Sequence, residues 1–304
     1  MDHFPQDRAQ PLAIAVFAHN EQDRIATALT RLLDSGIRNT VPIHVLANGC
    51  RDRTESIVAD FAARRAQVRL HTIARGDKAN AWNHYIHVIR EQAQAHCFVD
   101  GDVEVQPGCF DALHAALTGT HGALAATGVP ASGRHRAAWI HELQTTGGLV
   151  GNLYALSGSF VDRIRSMGLK IPVGTIGEDG FVGAMAAFDL DPARGWDAHR
   201  IAVVPQARFV FHSLDWRRPD DIRLYLRRRR RYALRGIQNR MLQRLVKSQG
   251  FFGLPDNIRD AYSRYPEYLE PGWRGLDTAF HWLALRQIAG ETRSPTLQRR
   301  TDAE

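Results

Sequence analysis

The sequence predicts an α/β protein with a Rossmann-like, mostly parallel central sheet, helices on both faces and a C-terminal helical extension. Three observations predict it. Short apolar runs alternate with amphipathic stretches through the first hundred residues, the pattern of parallel strands joined by right-handed helical crossovers. Polar clusters follow directly on three of these runs. A long, arginine-rich helical stretch comes late in the chain.

Residues 12–18 form an apolar run that reads as a buried strand. A helix follows, with Ile25, Ala28, Leu29, Leu32 and Leu33 on one stripe. Asn20 stands where its N-cap belongs, and Asp23 falls at the third helical position. Residues 43–47 read as a second strand, and 54–63 as a second helix with Ile57, Val58 and Phe61 inward. Residues 68–73 form a third strand. A third helix is expected from about 78 to 94, with Trp82, Ile86 and Ile89 on one face, and a fourth strand at 97–99. After about residue 123 the pattern loosens. Residues 123–129 and 153–156 look like strands, and 201–204 and 208–211 like two more, separated by a turn containing Pro205. A long helix begins near Pro219, a residue suited to a first helical turn, and carries five consecutive arginines at 227–231. From about Gly290 the tail is polar and expected to be disordered. These breaks divide the chain into a catalytic domain, 1–215, and a helical C-terminal extension with a basic helix and polar tail, 216–304.

At 304 residues, 44% hydrophobic and 23% charged, the composition is that of a globular protein. No run approaches the roughly 18 apolar residues of a membrane helix, so no transmembrane segment is expected. The opening MDHFPQDRAQP has no apolar core and does not read as a signal peptide. Cys50, Cys97 and Cys109 are odd in number and lack metal-ligand spacing, which fits reduced thiols in a cytoplasmic protein. The net charge of +7 suits an anionic ligand or surface without choosing between nucleotide, nucleic acid and lipid.

Parallel sheets bind ligands at the carboxyl ends of their strands. His19-Asn20-Glu21, residues 48–52 and Asp100-Gly101-Asp102 should therefore meet on one edge. Asp100 and Asp102 form a compact oxygen site of the kind that holds Mg²⁺ or Mn²⁺, with substrate phosphates completing the shell. A solvated Asp-Gly turn has the same composition. In Gly177-Glu178-Asp179-Gly180 a carboxylate could act as general base, or the acids could simply favour a helix N-terminus. Lys78, near a helix start, could contact phosphate or remain a solvated lysine. His212 follows an apolar strand and could be a third metal ligand or a structural histidine. The five arginines cannot share one helix face. Arg227 and Arg231 fall on one side, with Arg228 and Arg235 nearby. They suit a diphosphate, a solvated face, or contact with nucleic acid or anionic lipid.

Taken in order, these segments resemble the inverting family 2 glycosyltransferases, which have the type-A glycosyltransferase fold. Ala18-His19-Asn20-Glu21 resembles the family's opening, and the Asn48-Gly49-Cys50-Arg51-Asp52-Arg53-Thr54 segment its second-strand motif. Residues 76–83 resemble its glycine-lysine-alanine segment, Asp100-Gly101-Asp102 its Asp-x-Asp metal motif, and Leu156-Ser157-Gly158 the segment before the acceptor site. Glu178-Asp179 matches the Glu-Asp base motif, and residues 228–232 are similar to the Gln-x-x-Arg-Trp element. The resemblance spans roughly residues 11–240. Asn48 departs from a commoner aspartate, and Arg228 and Tyr232 replace the glutamine and tryptophan of the last element.

The resemblance implies a metal-dependent enzyme that moves one sugar from a nucleotide-sugar, UDP-sugar by default, to an unidentified hydroxyl acceptor. It implies Asp102, with Asp100, at a Mn²⁺ or Mg²⁺ ion, to which His212, by its place after a strand, is the candidate third ligand. His19, Asn20, Glu21, Asn48, Asp52 and Lys78 would hold the nucleotide, and Arg228 and Arg231 the diphosphate. Asp179, beside Glu178, would take the acceptor proton. No nucleic-acid partner is implied, while the basic helix leaves room for peripheral contact with an anionic surface. Two other readings compete. A sugar-phosphate nucleotidyltransferase would open on a glycine-rich loop with a basic residue, where this chain has His19-Asn20-Glu21. A binder of nucleic acid or anionic surfaces would use residues 227–231, but the acidic motifs would repel phosphate without metal.

Overall fold

A computed structural model describes residues 10–133, 136–211, 219–270, 275 and 277–293. Runs rich in β-branched and aliphatic residues become β1 (Gln10–Ala18), β2 (Ile43–Asn48), β3 (Val68–Ile73) and β4 (Ala93–Asp100), all paired in parallel. Between them lie α1 (Ile25–Leu33), α2 (Thr54–Arg64) and α3 (Lys78–His84), the last continued by a π-helical turn, Tyr85–Ile89. There follow β5 (Glu104–Val105), α4 (Cys109–Gly119), β6 (Ala125–Pro130), α5 (Arg136–Thr146), β7 (Leu153–Ser157), α6 (Gly158–Ser166), α7 (Glu178–Ala187) and β8 (Ile201–Val210). The eight strands form one sheet in the order β3-β2-β1-β4-β7-β6-β8-β5. β7 runs antiparallel between β4 and β6, and β5 antiparallel to β8. The sheet is mostly parallel, as expected.

Strand parity sorts the two faces. Ile14, Val16, Val45, Cys97 and Val99 meet α1, α2 and α4 in an aliphatic core. A fully buried aliphatic side chain of this kind contributes roughly 1.5–3 kcal/mol. Phe17 and Phe98 have the opposite parity and meet Trp82, Tyr85 and Tyr154 in an aromatic layer, with Phe98 and Tyr154 stacked at 4.7 Å. Asp100 shares the parity of Phe98, which directs it toward the α3 side of the sheet.

Local competition overturns several expectations. Asn20 is not an N-cap: it adopts φ 55°, which asparagine tolerates. Asp23 lies in a turn, and α1 begins at Ile25, whose amide, like that of Arg24, donates to the Glu21 carbonyl. The third helix does not reach residue 94. Arg90 terminates it in the left-handed region, and Ala93 already pairs with Gln10, so strand pairing claims residues 93–96. Residues 201–210 form one strand rather than two. Between the Thr127–Val203 and Val129–Arg208 pairs β8 bulges, and Pro205 sits in that bulge, where its missing N–H breaks no ladder bond.

These elements belong to one compact unit, Met1–Lys170 with Glu178–His212. The other, Ile171–Gly177 with Ser213–Glu304, is helical: α8 (Pro219–Gln249), α9 (Ile258–Arg264) and α10 (Thr278–Arg293). Its buried Gln238 accepts from the Ile176 amide (2.7 Å) and donates to Gly174 O (3.0 Å) and Tyr262 Oη (2.5 Å). Residues 290–293 are helical rather than disordered. Ile288 is buried, and Glu291 accepts from Gln287 (2.9 Å) and pairs with Arg259 (3.5 Å). Among the described residues no helix is long and apolar enough to cross a membrane.

Candidate active site

The parallel register brings the ends of β1, β2 and β4 side by side, and the three polar clusters with them. Hydrogen bonds lock their loops. Asn20 Oδ1 accepts from the Arg51 amide (2.8 Å). Asp52 accepts from the amides of Gln22 (3.1 Å) and Thr54 (3.0 Å) and from the Thr54 hydroxyl (2.6 Å), which itself accepts from Glu21 N (2.7 Å). Burial pushes the Asp52 carboxyl upward, but these donors outweigh it and hold it below the ordinary carboxylate range. Asp52 thus fastens the first loop to the second. His19 Nδ1 donates to the Asn48 carbonyl (2.6 Å), and Asn20 Nδ2 donates to His19 Nε2 (3.2 Å), which places the ring proton on Nδ1. Asn48 Nδ2 donates to Ala18 O (2.9 Å). Beside His19, Gly49 at φ 60° crosses Gly76 so closely that a Cβ on Gly49 would lie 2.4 Å from the Gly76 nitrogen. That crossing requires glycine.

Gly101 lets the Asp-x-Asp turn press on β1, since a Cβ there would lie 3.0 Å from Phe17 O. Asp77 caps α3 by accepting from Asn80 N (2.9 Å), which sets Lys78 at the helix head. Lys78 Nζ stands 2.5 Å from Asp100 Oδ1 and 2.7 Å from Glu178 Oε1, donates to Gly151 O (3.4 Å) and lies 5.5 Å from the Phe17 ring centroid. The contact with Glu178 is a charge pair without hydrogen-bond geometry. Lys78 and Asp100 keep 25% and 26% of their side-chain surface in solvent and Glu178 only 6%.

Burial disfavours charge on Lys78, but Asp100 and Glu178 outweigh it and raise the ammonium well above the ordinary lysine value. Burial pushes Asp100 up to about 7 against the pull of Lys78, with Glu178 and Asp102 adding repulsion. Glu21 is also pushed up to about 7, by burial first and Asp102 next, with Arg24 opposing. Two carboxylates, Asp100 and Glu178, thus flank one ammonium, and Asp102 and Glu21 couple to Asp100. Among the described residues no three His, Cys, Asp or Glu side chains converge closely enough to hold an ion unaided.

Glu178 and Asp179 occupy the first turn of α7. Asp179 packs on Gly151, where a Cβ would lie 3.1 Å from Asp179 Cβ, and Gly151 O is the carbonyl that Lys78 reaches. Asp179 therefore belongs to the same centre. So does Tyr154, which sequence reasoning passed over. Its buried hydroxyl, pushed well up by burial and by Glu178 against Lys78, has no hydrogen-bond partner; the Trp82 indole N–H is near but falls short of hydrogen-bond geometry. The available signal was a tyrosine in an otherwise apolar strand, a ring that brings a polar handle into a core. Arg228 and Arg231 lie on α8, in the helical unit. His212 lies outside the described residues.

The profile of Glycosyl transferase family 2 matches residues 13–191. A mannosyltransferase from Pyrobaculum calidifontis, solved with GDP-Man and Mn²⁺, is similar in structure with a TM-score of 0.58 and 16% identity, over 95% of this chain and 77% of that one. Glucosyl-3-phosphoglycerate synthase from Mycobacterium tuberculosis, solved with Mn²⁺, UDP and glucosyl-3-phosphoglycerate, is similar with a TM-score of 0.51 and 18% identity, over 74% and 78% of the two chains. No curated protein matches the chain. The shared architecture is the type-A glycosyltransferase fold.

Proposed function

The chain belongs to glycosyl transferase family 2, and on that premise we propose that it transfers one sugar from a nucleotide-sugar to an acceptor hydroxyl by a single inverting displacement assisted by Mn²⁺ or Mg²⁺. The observation that carries the reading is Lys78 held between Asp100 and Glu178, with Asp102 and Glu21 coupled to Asp100 and Asp179 packed on Gly151.

The donor set fits a hard divalent cation. Glu21 and Asp100 are acids pushed toward neutrality by burial and by one another's neighbours, and a cation relieves that repulsion. Such a cation held by two carboxylates completes its shell with substrate phosphate oxygens. Bound there, the cation would stabilise charge on the departing diphosphate. Asp102 and Asp100 are the residues to hold it. Asn20, Asn48 and the Gly49–Gly76 crossing shape the floor for the nucleotide, with Asp52 fixing that floor. Lys78 orients Asp100 and Glu178. Removal of the acceptor proton is assigned to Asp179, the second acid of the Glu178-Asp179 motif, which packs on Gly151 beside the Lys78 contact. Arg228 and Arg231 are candidates for the diphosphate.

The two structural neighbours were solved with different nucleotides, guanosine and uridine diphosphate derivatives, so both donor classes enter the test. The protein is mixed with Mn²⁺ and UDP- or GDP-sugars, and nucleoside diphosphate release is followed. Expected is release that EDTA abolishes, and a product of opposite anomeric configuration by NMR. Pyrophosphate release from a nucleoside triphosphate and a sugar phosphate, with no diphosphate from any nucleotide-sugar, would overturn the reading.

A further inference from the structure

The two halves of α8 turn different sides to solvent. In the second half Leu234, Ile237, Met241 and Leu245 are buried within the helical unit. In the first half Ile222, Tyr225, Leu226 and Tyr232 share another face, rotated by roughly a third of a turn. That face is open: Ile222, Tyr225 and Leu226 expose 46–49% of their surface. Arg223 and Arg230 border it on one side and Arg228 on the other. Arg229, within it, pairs with Asp277 and lies over the rings of Tyr225 (6.0 Å) and Phe280 (5.6 Å). Phe280 belongs to the first turn of α10, and Trp282 and Leu283 in its second turn are exposed.

Charge is concentrated in the same place. Residues 222–236 contain seven arginines and no acid. The whole of α8 holds ten basic and two acidic side chains, a net +8 against +7 for the entire chain. An exposed aliphatic and aromatic stripe edged with arginine is the make-up of a helix that lies in a membrane interface. Its apolar side chains enter the headgroup–acyl boundary, while the guanidinium groups reach up to anionic headgroups. A nucleic-acid surface would use the arginines alone and leave Ile222 and Leu226 in water. We propose that the first half of α8, with the adjoining turn of α10, docks in plane on a bilayer surface rich in anionic phospholipid.

The test is co-sedimentation of the full chain with vesicles of phosphatidylcholine alone or mixed with phosphatidylglycerol. No sugar donor is present, so the outcome is independent of the transfer reading. Binding to the mixed vesicles only, weakened by salt, is expected. Ile222→Ser with Leu226→Ser should weaken it about tenfold, and Arg230→Gln, at the edge of the stripe, about fivefold, since each basic residue near the surface is worth about that much. Thermal melts of both variants should match the parent, because the changed side chains are exposed. Absence of binding to anionic vesicles overturns the proposal. So does binding that ignores Ile222→Ser with Leu226→Ser, which would mark a purely electrostatic patch. Tighter binding to a duplex oligonucleotide than to the mixed vesicles would assign the face to nucleic acid instead.

Discussion

Lys78→Met keeps the length of the side chain and removes its charge. The ammonium sits 2.5 Å and 2.7 Å from two carboxylates that otherwise repel each other. Removing one partner of a buried ion pair costs about 3–5 kcal/mol, and a surface pair about 0–1. With a quarter of Lys78 and Asp100 in solvent, the loss falls between these, at about 2 kcal/mol at pH 8 in EDTA. For a chain of this size that lowers Tm by about 4–8 °C. Two further signatures separate this cause from lost packing. At pH 6 the deficit should shrink, because Asp100 can take up a proton in place of the lost counter-charge. Mn²⁺ should restore the variant more than the parent, because Lys78 no longer competes for Asp100. Differential scanning fluorimetry over pH and Mn²⁺ reads all three. An unchanged Tm at pH 8, or a deficit that ignores both pH and Mn²⁺, would refute the counter-ion account.

Asp179→Asn should bind donor nearly as the parent does yet transfer sugar at least about a hundredfold more slowly, with Glu178→Gln hurting less; single-turnover rates at saturating donor decide it. Asp102→Asn should lose metal and nucleotide-sugar affinity together in calorimetric titrations, and EDTA should reproduce the loss in the parent; donor affinity indifferent to both would remove the cation from the site. Glu21 and Asp100 have folded pKa values raised to about 7, above their unfolded values. Between about pH 4 and 7 these two groups contribute stability that is lost as pH rises, while His44, His71, His84, His87 and His96, whose pKa values are lowered by burial, contribute in the opposite sense. The Glu21 share is read by difference: in metal-free melts the Tm of Glu21→Gln relative to the parent should rise from about pH 4 to pH 7, and a difference that stays flat or falls would contradict the assignment.

Much of this centre was legible because parallel strands announce themselves as short apolar runs and aim whatever follows them at one edge. His19-Asn20-Glu21 and Asp100-Gly101-Asp102 could be placed together on that logic alone. The conformation of each loop could not. Asn20 looks like an N-cap in sequence, but its φ of 55° and its bond to Arg51 depend on a loop thirty-one residues away. Lys78 read as a phosphate contact or a solvated lysine, and its two carboxylate partners were out of sight because they lie on β4 and α7, far along the chain. The end of the third helix and the passage of β8 through Pro205 were likewise decided by distant strands, which override local propensity. Tyr154 gave little sign of itself, since its place beside Glu178 follows from antiparallel pairing with Phe98.

The pairing of β5 bears on the order in which the chain takes shape. Asp100 ends a strand whose partner, β1, precedes it through local units. Asp102 leads instead into Glu104 and Val105, which pair only with Val210 and Phe209, contributed after more than a hundred further residues. Closing so long a loop is entropically slow compared with zipping neighbouring units. The two acids of one short turn thus belong to different stages of assembly: the first is set early, the second once β8 arrives. Pulse-labelling hydrogen exchange during refolding should find the Gln106 amide, which donates to the Arg208 carbonyl (2.9 Å), protected later than those of β4, and simultaneous protection would show that the turn forms as one piece.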